Sequence, residues 1–333
     1  MSSRGWCLFV SFFLMVAGIY WSLNSVSVLG VWFGMDVSFI GTVVLLSGRC
    51  YDESDSLIKY FIIQVIGTSF VVFYVVLIEA GLGLEWLDMF LFLGVAMKLG
   101  LFPFHFWVPR IMSGLGWLSC FNVAVIQKIA PMWLISNAFS DTFATGCLQC
   151  SCLFTVLISG VGGIEMLHFR VLMGYSSLVH SGFMAMLAVS DFNWFVVYYL
   201  FYFVISLLFM ASMAYIGVYS YQDFLKNKKG AFVWFSVYCL SLSGIPPFLG
   251  SFLKVFYFCK MMSFFPLICV GVLVASMVTL YFYLNFFTSM VHGLGVAGVV
   301  GLGFDSVTVV LVFVSVAVNL VFGFVSFVFV GLL

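Results

Sequence analysis

Apolar runs of about twenty residues, each long enough to cross a bilayer as a helix, follow one another along this chain with only short polar stretches between them. Charge is correspondingly scarce. Charged residues make up 7% of the 333 and hydrophobic ones 65%, whereas a soluble domain carries about a quarter charged residues on its surface. So few charges cannot cover a chain of this length against water. The sequence reads as an all-α polytopic membrane protein, and a soluble enzyme is excluded. A formal net charge of +0 with no basic face excludes nucleic-acid binding as well.

Breaks at polar or Gly/Pro clusters give eleven spans, at 6–23, 28–48, 58–78, 86–105, 117–139, 144–164, 171–190, 194–219, 231–262, 264–290 and 307–331. The first follows Arg4 as a signal peptide would, but it runs on to Leu23 without a clean cleavage site and reads as a spanning helix. The fourth contains Pro103, and the ninth, too long for one straight helix, contains Pro246-Pro247. Proline removes a donor and clashes with the preceding turn, so both should be broken. A break survives in a membrane only where protein or a water-filled cavity satisfies the freed backbone. Spans 1–5 (residues 1–139) and 6–10 (144–290) then form two repeats, each with a proline-broken fourth member bearing a lysine, and 307–331 is a C-terminal helix. Five is odd, so the repeats are inverted relative to each other.

Two apparent cofactor signals fail. Cys147-x-x-Cys150-x-Cys152 lacks a fourth ligand nearby and runs into a span, so it reads as incidental cysteine at a helix start. Gly293-Leu-Gly295-Val-Ala-Gly298 fits the dinucleotide pattern but follows a membrane helix rather than a strand. No loop is long enough for a nucleotide, flavin or iron–sulfur domain, so no cofactor and no metal is expected in this chain.

Alternating spans sort the basic residues by side. Arg4, Arg49, Lys59, Arg110, Arg170, Lys226, Lys228 and Lys229 fall on the N-terminal side, and only Lys260 on the other. By the positive-inside rule the N-terminus faces the cytoplasm or matrix and the C-terminus the opposite side.

Three lysines remain, Lys98, Lys128 and Lys254, each inside an apolar span, and Asp36 lies likewise inside the second. A charge at mid-membrane costs roughly 2.5–3.5 kcal/mol even on the lenient insertion scale. Snorkelling suits helix ends but not Lys128, midway along the fifth span. A static Asp–Lys pair explains one residue of the set; a polar axis through the membrane explains all four. Burial disfavours a charged amine and a nearby carboxylate favours it, so a lysine whose partner moves can load and release a proton. Three such lysines linked by water make a proton relay. Asp36 should come within reach of Lys98, directly or through one water. Of the four histidines, His105 and His292 fall near helix ends and His168 in a loop, while His180, inside the seventh span after Tyr175-Ser176-Ser177, is the candidate relay member. A histidine merely hydrogen-bonded to a neighbouring helix is the other reading.

At these residues the chain resembles a known family. The run Met97-Lys98-Leu99-Gly100-Leu101-Phe102-Pro103-Phe104-His105-Phe106-Trp107-Val108-Pro109 resembles the signature of the chain 2 family of NADH–ubiquinone oxidoreductase, the antiporter-like membrane subunits of respiratory complex I. Gln127-Lys128-Ile129-Ala130-Pro131, Gly162-Gly163 with Arg170, and the run from Leu240 through Pro246-Pro247 to Lys254 match in order, as does Lys59-Tyr60-Phe61 with Gln64. The resemblance implies a proton-translocating membrane-arm subunit driven by quinone reduction elsewhere, with proton-axis lysines at Lys98, Lys128 and Lys254. It puts their carboxylate partner at Asp36, where the family usually has glutamate. NADH, FMN, iron–sulfur clusters and ubiquinone would belong to other subunits of an obligate hetero-oligomer, whose membrane-arm and accessory subunits, with lipids, are the partners. It also implies the mitochondrial inner membrane, with the N-terminus on the matrix side and the C-terminus in the intermembrane space. Eleven spans resemble the shortened animal form, which lacks three N-terminal helices of the bacterial subunit. Arg110 stands where the family often has glutamate. Two other readings compete: a subunit of a multisubunit cation/proton antiporter, and a scaffold with vestigial lysines.

Overall fold

The computed structural model describes residues 3–47, 51–81, 85–139, 143–164, 166, 168–221, 223, 230–245, 248–296 and 316–323 apart from 318 and 322. Arg49, Lys226, Lys228, Lys229, Pro246-Pro247 and nearly all of the 307–331 helix lie outside the described residues, as do the side chains of Arg4 and His292. Within them the chain is helical, with one isolated bridge between His168 and Ser220 and no strand. The helices are α1 Ser3–Asn24, α2 Val28–Leu46, α3 Tyr51–Glu79, α4 Asp88–Leu99, α5 Trp107–Gly114, α6 Trp117–Ala124, α7 Ile129–Ala138, α8 Phe143–Gly162, α9 Phe169–Ser190 and α10 Phe192–Ile216. After them come α11 Gly230–Ser243, α12 Leu249–Met261 and α13 Pro266–Val296. Among the described residues, eight helical segments are long and apolar enough to cross a membrane, one of them the α6–α7 pair over Trp117–Ala138. The ninth expected span is a pair of half-helices, α11 with α12, and the fourth, 86–105, holds α4 alone, with the short α5 following beyond its expected end.

Several boundaries differ from the sequence reading, each for a local reason. α3 begins at Tyr51 rather than 58, because Asp52 and Glu53 sit in its first turn, where the helix dipole favours acidic side chains. The fourth span ends before its proline: Gly100, at φ 73°, turns the chain left-handed, and the Leu101 amide closes on the Ala96 carbonyl. The fifth span is not continuous. It breaks at Val125 and passes through a 3-10 turn, Ile126–Lys128, before α7. Pro131, third residue of α7, cannot donate to the Gln127 carbonyl, and its ring clashes with that carbonyl, so the chain tightens one turn upstream. The Gly293-x-Gly295 run begins inside α13.

α9 is the centre of the bundle. It packs against α5, α6, α7, α8, α10, α12 and α13, and from Leu178 through Ala188 every residue is buried. Around it the half-helices are held at defined depth. Arg170 at the start of α9 lies over the Tyr219 ring, 4.7 Å from its centroid, and its guanidinium donates to the Leu115 carbonyl. The α5–α6 turn, the start of α9 and the end of α10 therefore share one end of the bundle. Lys260 lies 3.9 Å over the Trp194 ring, near the other end of α10.

α1 and α2 form the tightest helix pair because small residues face each other along the seam. A Cβ added at Gly34 would lie 2.6 Å from the Ser22 amide nitrogen and 2.7 Å from the Gly18 carbonyl oxygen. Ser11, Ser22 and Ser38 turn their hydroxyls onto carbonyls of their own helices, so the seam needs no other polar partner. In lipid, where apolar surface gains nothing by association, close approach of this kind holds helices together. Gly34→Val should push α1 away and lower the heat-inactivation midpoint of the assembled protein, at a cost of about 1–3 kcal/mol or more. Gly146→Ala on α8, where an added Cβ meets nothing within 4 Å, should leave the midpoint unchanged. Equal effects would mean the seam is not the cause.

Candidate functional site

Lys98 lies in the last turn of α4, with its side chain 4% exposed. The C-terminal end of a helix carries unpaired carbonyls and partial negative charge, which favours a cation there. One of those carbonyls, that of Met97, accepts from the Trp107 indole at 3.1 Å, so the loop after Gly100 folds back on the helix end. Lys98 Nζ stands 3.7 Å from Asp36 Oδ1 of α2 and 3.9 Å from Met35 Sδ. The carboxylate is within ion-pair reach but beyond a formed hydrogen bond, and Asp36 Oδ1 has no other partner. Aspartate is one methylene too short to close the gap.

Lys128 is buried at the 3-10 break, and its ammonium donates to the backbone carbonyl of Ser177 in α9. The break places the lysine at an interruption in its own helix rather than on a smooth helical face. Its neighbour Gln127 reaches α2: Gln127 Nε2 donates to the Ser38 carbonyl at 3.3 Å, and the Ser38 hydroxyl lies 3.4 Å from Gln127 Oε1. Ser38 is two residues from Asp36, so α2 links the surroundings of Lys98 to those of Lys128. Asn122, 2% exposed, has neither side-chain atom hydrogen-bonded to protein.

Lys254 follows the second break. Its Nζ donates at 2.7 Å to the carbonyl of Ser243, the last residue of α11, and at 3.2 Å to the Ser276 carbonyl of α13. Thr279 Oγ1 lies at 3.5 Å. As at Lys98, a half-helix end supplies negative charge to a buried ammonium. Gly244, at φ 80°, makes the turn, and a Cβ there would lie 2.8 Å from Lys254 Cε.

His180, 5% exposed on α9, stands near two of these lysines. It lies one turn after Ser177, whose carbonyl takes Lys128, and it lines a small cavity together with Ser176, Lys254, Thr279 and Tyr283. The cavity offers about 10 Å³, close to what one water needs. His180 Nδ1 is 2.8 Å from the Tyr198 hydroxyl, and its ring lies against Tyr202, with centroids 4.6 Å apart. The sequence reading missed Ser38, Asn122, Tyr198 and Tyr202. Buried hydroxyls at 198 and 202, one helical turn apart in an otherwise apolar span, were the available signal.

The comparisons bear on this geometry. The family model for the transmembrane region of NADH:quinone oxidoreductases and Mrp antiporters matches residues 25–282, an interval that contains all five site residues. NADH-ubiquinone oxidoreductase chain 2 of Mytilus edulis is 31% identical over 85% of this chain and 86% of its own length. The chain belongs to that family. The same subunit of Anopheles gambiae is 27% identical over 82% of each chain. A chain of the respiratory complex I of Thermus thermophilus shares the fold, with a TM-score of 0.77 at 20% identity over 97% of this chain and 79% of its own. A chain of the Mrp complex from Dietzia sp. does so with a TM-score of 0.72 at 16% identity, over 83% of this chain and 59% of its own. The fold is thus the antiporter-like one.

The Asp36–Lys98 pair makes a direct prediction. Removing one partner of a buried pair costs on the order of 3–5 kcal/mol, less where solvent reaches it, and the Asp36 side chain is 30% exposed. Asp36→Ala should lower the thermal midpoint of the assembled protein, whereas Asp36→Glu, longer by one methylene, should hold or raise it. An unaltered midpoint in Asp36→Ala would show that the two charges are neighbours without being partners.

Proposed function

We propose that protons move through this chain along Lys98, Lys128, His180 and Lys254, with Asp36 modulating the charge on the first. As a member of the chain 2 family it is a proton-translocating membrane subunit of NADH:ubiquinone oxidoreductase, respiratory complex I; the path is the new element. The observation that carries it is the position of His180, one turn from the Lys128 acceptor and on the same water-sized cavity as Lys254. Each lysine is held by carbonyl oxygens or by a carboxylate beyond hydrogen-bond distance. Neutral acceptors of this kind stabilise an ammonium less than a tight ion pair does, so the proton can leave. Asp36, the partner least enclosed by this chain, is the natural element to move when the subunit responds to quinone chemistry elsewhere.

We further read residues 1–139 and 144–290 as two inverted five-helix units, each with a broken helix carrying a lysine. No redox cofactor is assigned to this chain: NADH, FMN, the iron–sulfur clusters and ubiquinone would be held by other subunits, and this one would transmit only proton and conformational work. The names of the relatives support the mitochondrial inner membrane as its location. The clustering of the α5–α6 turn, Arg170 and Tyr219 at one end supports placing the basic end, with the N-terminus, on the matrix side, and the C-terminus in the intermembrane space.

Two measurements follow. Lys128→Met keeps the length and apolar fit of the side chain but removes the proton site. The complex should assemble, electron transfer from NADH to a soluble acceptor should persist, and NADH oxidation coupled to pumping should fall sharply. Normal pumping in the assembled variant would make Lys128 a tolerated buried amine. For sidedness, an impermeant amine reagent should label Lys226, Lys228 and Lys229 in membranes opened on the matrix face and not in intact mitochondria; labelling in intact mitochondria would invert the topology.

A further inference from the structure

A second cavity, separate from the lysine contacts, opens beside the loop between α4 and α5. It encloses about 500 Å³, many times a water molecule's share of about 30 Å³. Its two walls differ in chemistry. One is the apolar face of α8, with Leu157, Ile158 and Val161; Val161 is 61% exposed and faces the surroundings of the bundle. The other carries His105, Arg110 and Tyr175. Arg110 is exposed and forms no ion pair among the described residues. His105 is 2% exposed, with both ring nitrogens buried.

An exposed guanidinium with no ion pair among the described residues and a phenol therefore face a space whose far wall is apolar. Arg110 lies midway along the short α5, one turn from its end, and Gly162 ends α8, so the polar end of the cavity is toward the membrane surface and the apolar wall runs inward from it. That is the orientation of a lipid. The geometry points to a binding site for one anionic phospholipid, its phosphate on Arg110 with Tyr175 beside it and one acyl chain along Leu157, Ile158 and Val161. A net negative headgroup is favoured over a zwitterionic one because Arg110 forms no ion pair with a carboxylate among the described residues.

The test uses the whole purified complex, exchanged into phosphatidylcholine vesicles that contain a trace of acyl-chain diazirine phosphatidylglycerol or, in parallel, of the matching phosphatidylcholine probe. Labelling is mapped by peptide mass spectrometry. The phosphatidylglycerol probe should label residues 157–161 about fivefold more than the phosphatidylcholine probe, the preference one arginine near a headgroup supplies. Arg110→Gln should abolish that preference and Arg110→Lys should keep most of it, while inorganic phosphate should not displace the probe. Equal labelling by the two probes in the unmodified complex overturns the proposal without any variant being needed. So does displacement by phosphate, which would make this a free-anion site, or absence of labelling because a neighbouring subunit fills the space.

Discussion

A buried ammonium needs oxygen atoms around it, and an intact helix has few to give, because its carbonyls are already bonded within the helix. In this chain each of the three lysines lies at or beside a helix break. Lys98 sits at the end of α4, Lys254 caps the end of α11 through the Ser243 carbonyl, and Lys128 lies at the 3-10 turn between α6 and α7. The oxygens come from different places: the Ser243 carbonyl at the end of α11 for Lys254, the Ser177 carbonyl within α9 for Lys128, and the Asp36 carboxylate for Lys98.

The rest of the bundle keeps those breaks in position. α9 is buried along most of its length and contacts helices of both halves, so it presents Ser177 to Lys128 and His180 to the cavity of Lys254 from one rigid element. The glycine and serine seam of α1 and α2 fixes the helix that carries Asp36 and Ser38.

The membrane class and the four intramembrane charges were legible in the sequence because composition alone made each charge conspicuous. The partners were not. Ser177 offers a main-chain oxygen that no side-chain pattern marks, and the approach of Ser38 to Gln127 depends on the packing of α2 against α7. The break at Val125 was missed for a local reason. Pro131 reads as a kink within a continuous span, but in the first turn of α7 it costs little, and the distortion falls upstream around Lys128. The fourth span was legible as broken, yet its end is set by Gly100, three residues before the proline held responsible.

The central claim is that a wet, hydrogen-bonded path joins Lys128 to Lys254 past His180. A structure of the assembled complex at a resolution that shows ordered water tests it most directly. The account predicts water in the cavity among Ser176, His180 and Lys254, within hydrogen-bond distance of the imidazole and the ammonium, and more water beside Asn122 near the break at Lys128. A dry cavity closed by apolar side chains, with His180 bonded to Tyr198 alone and no solvent near Lys128, would contradict it.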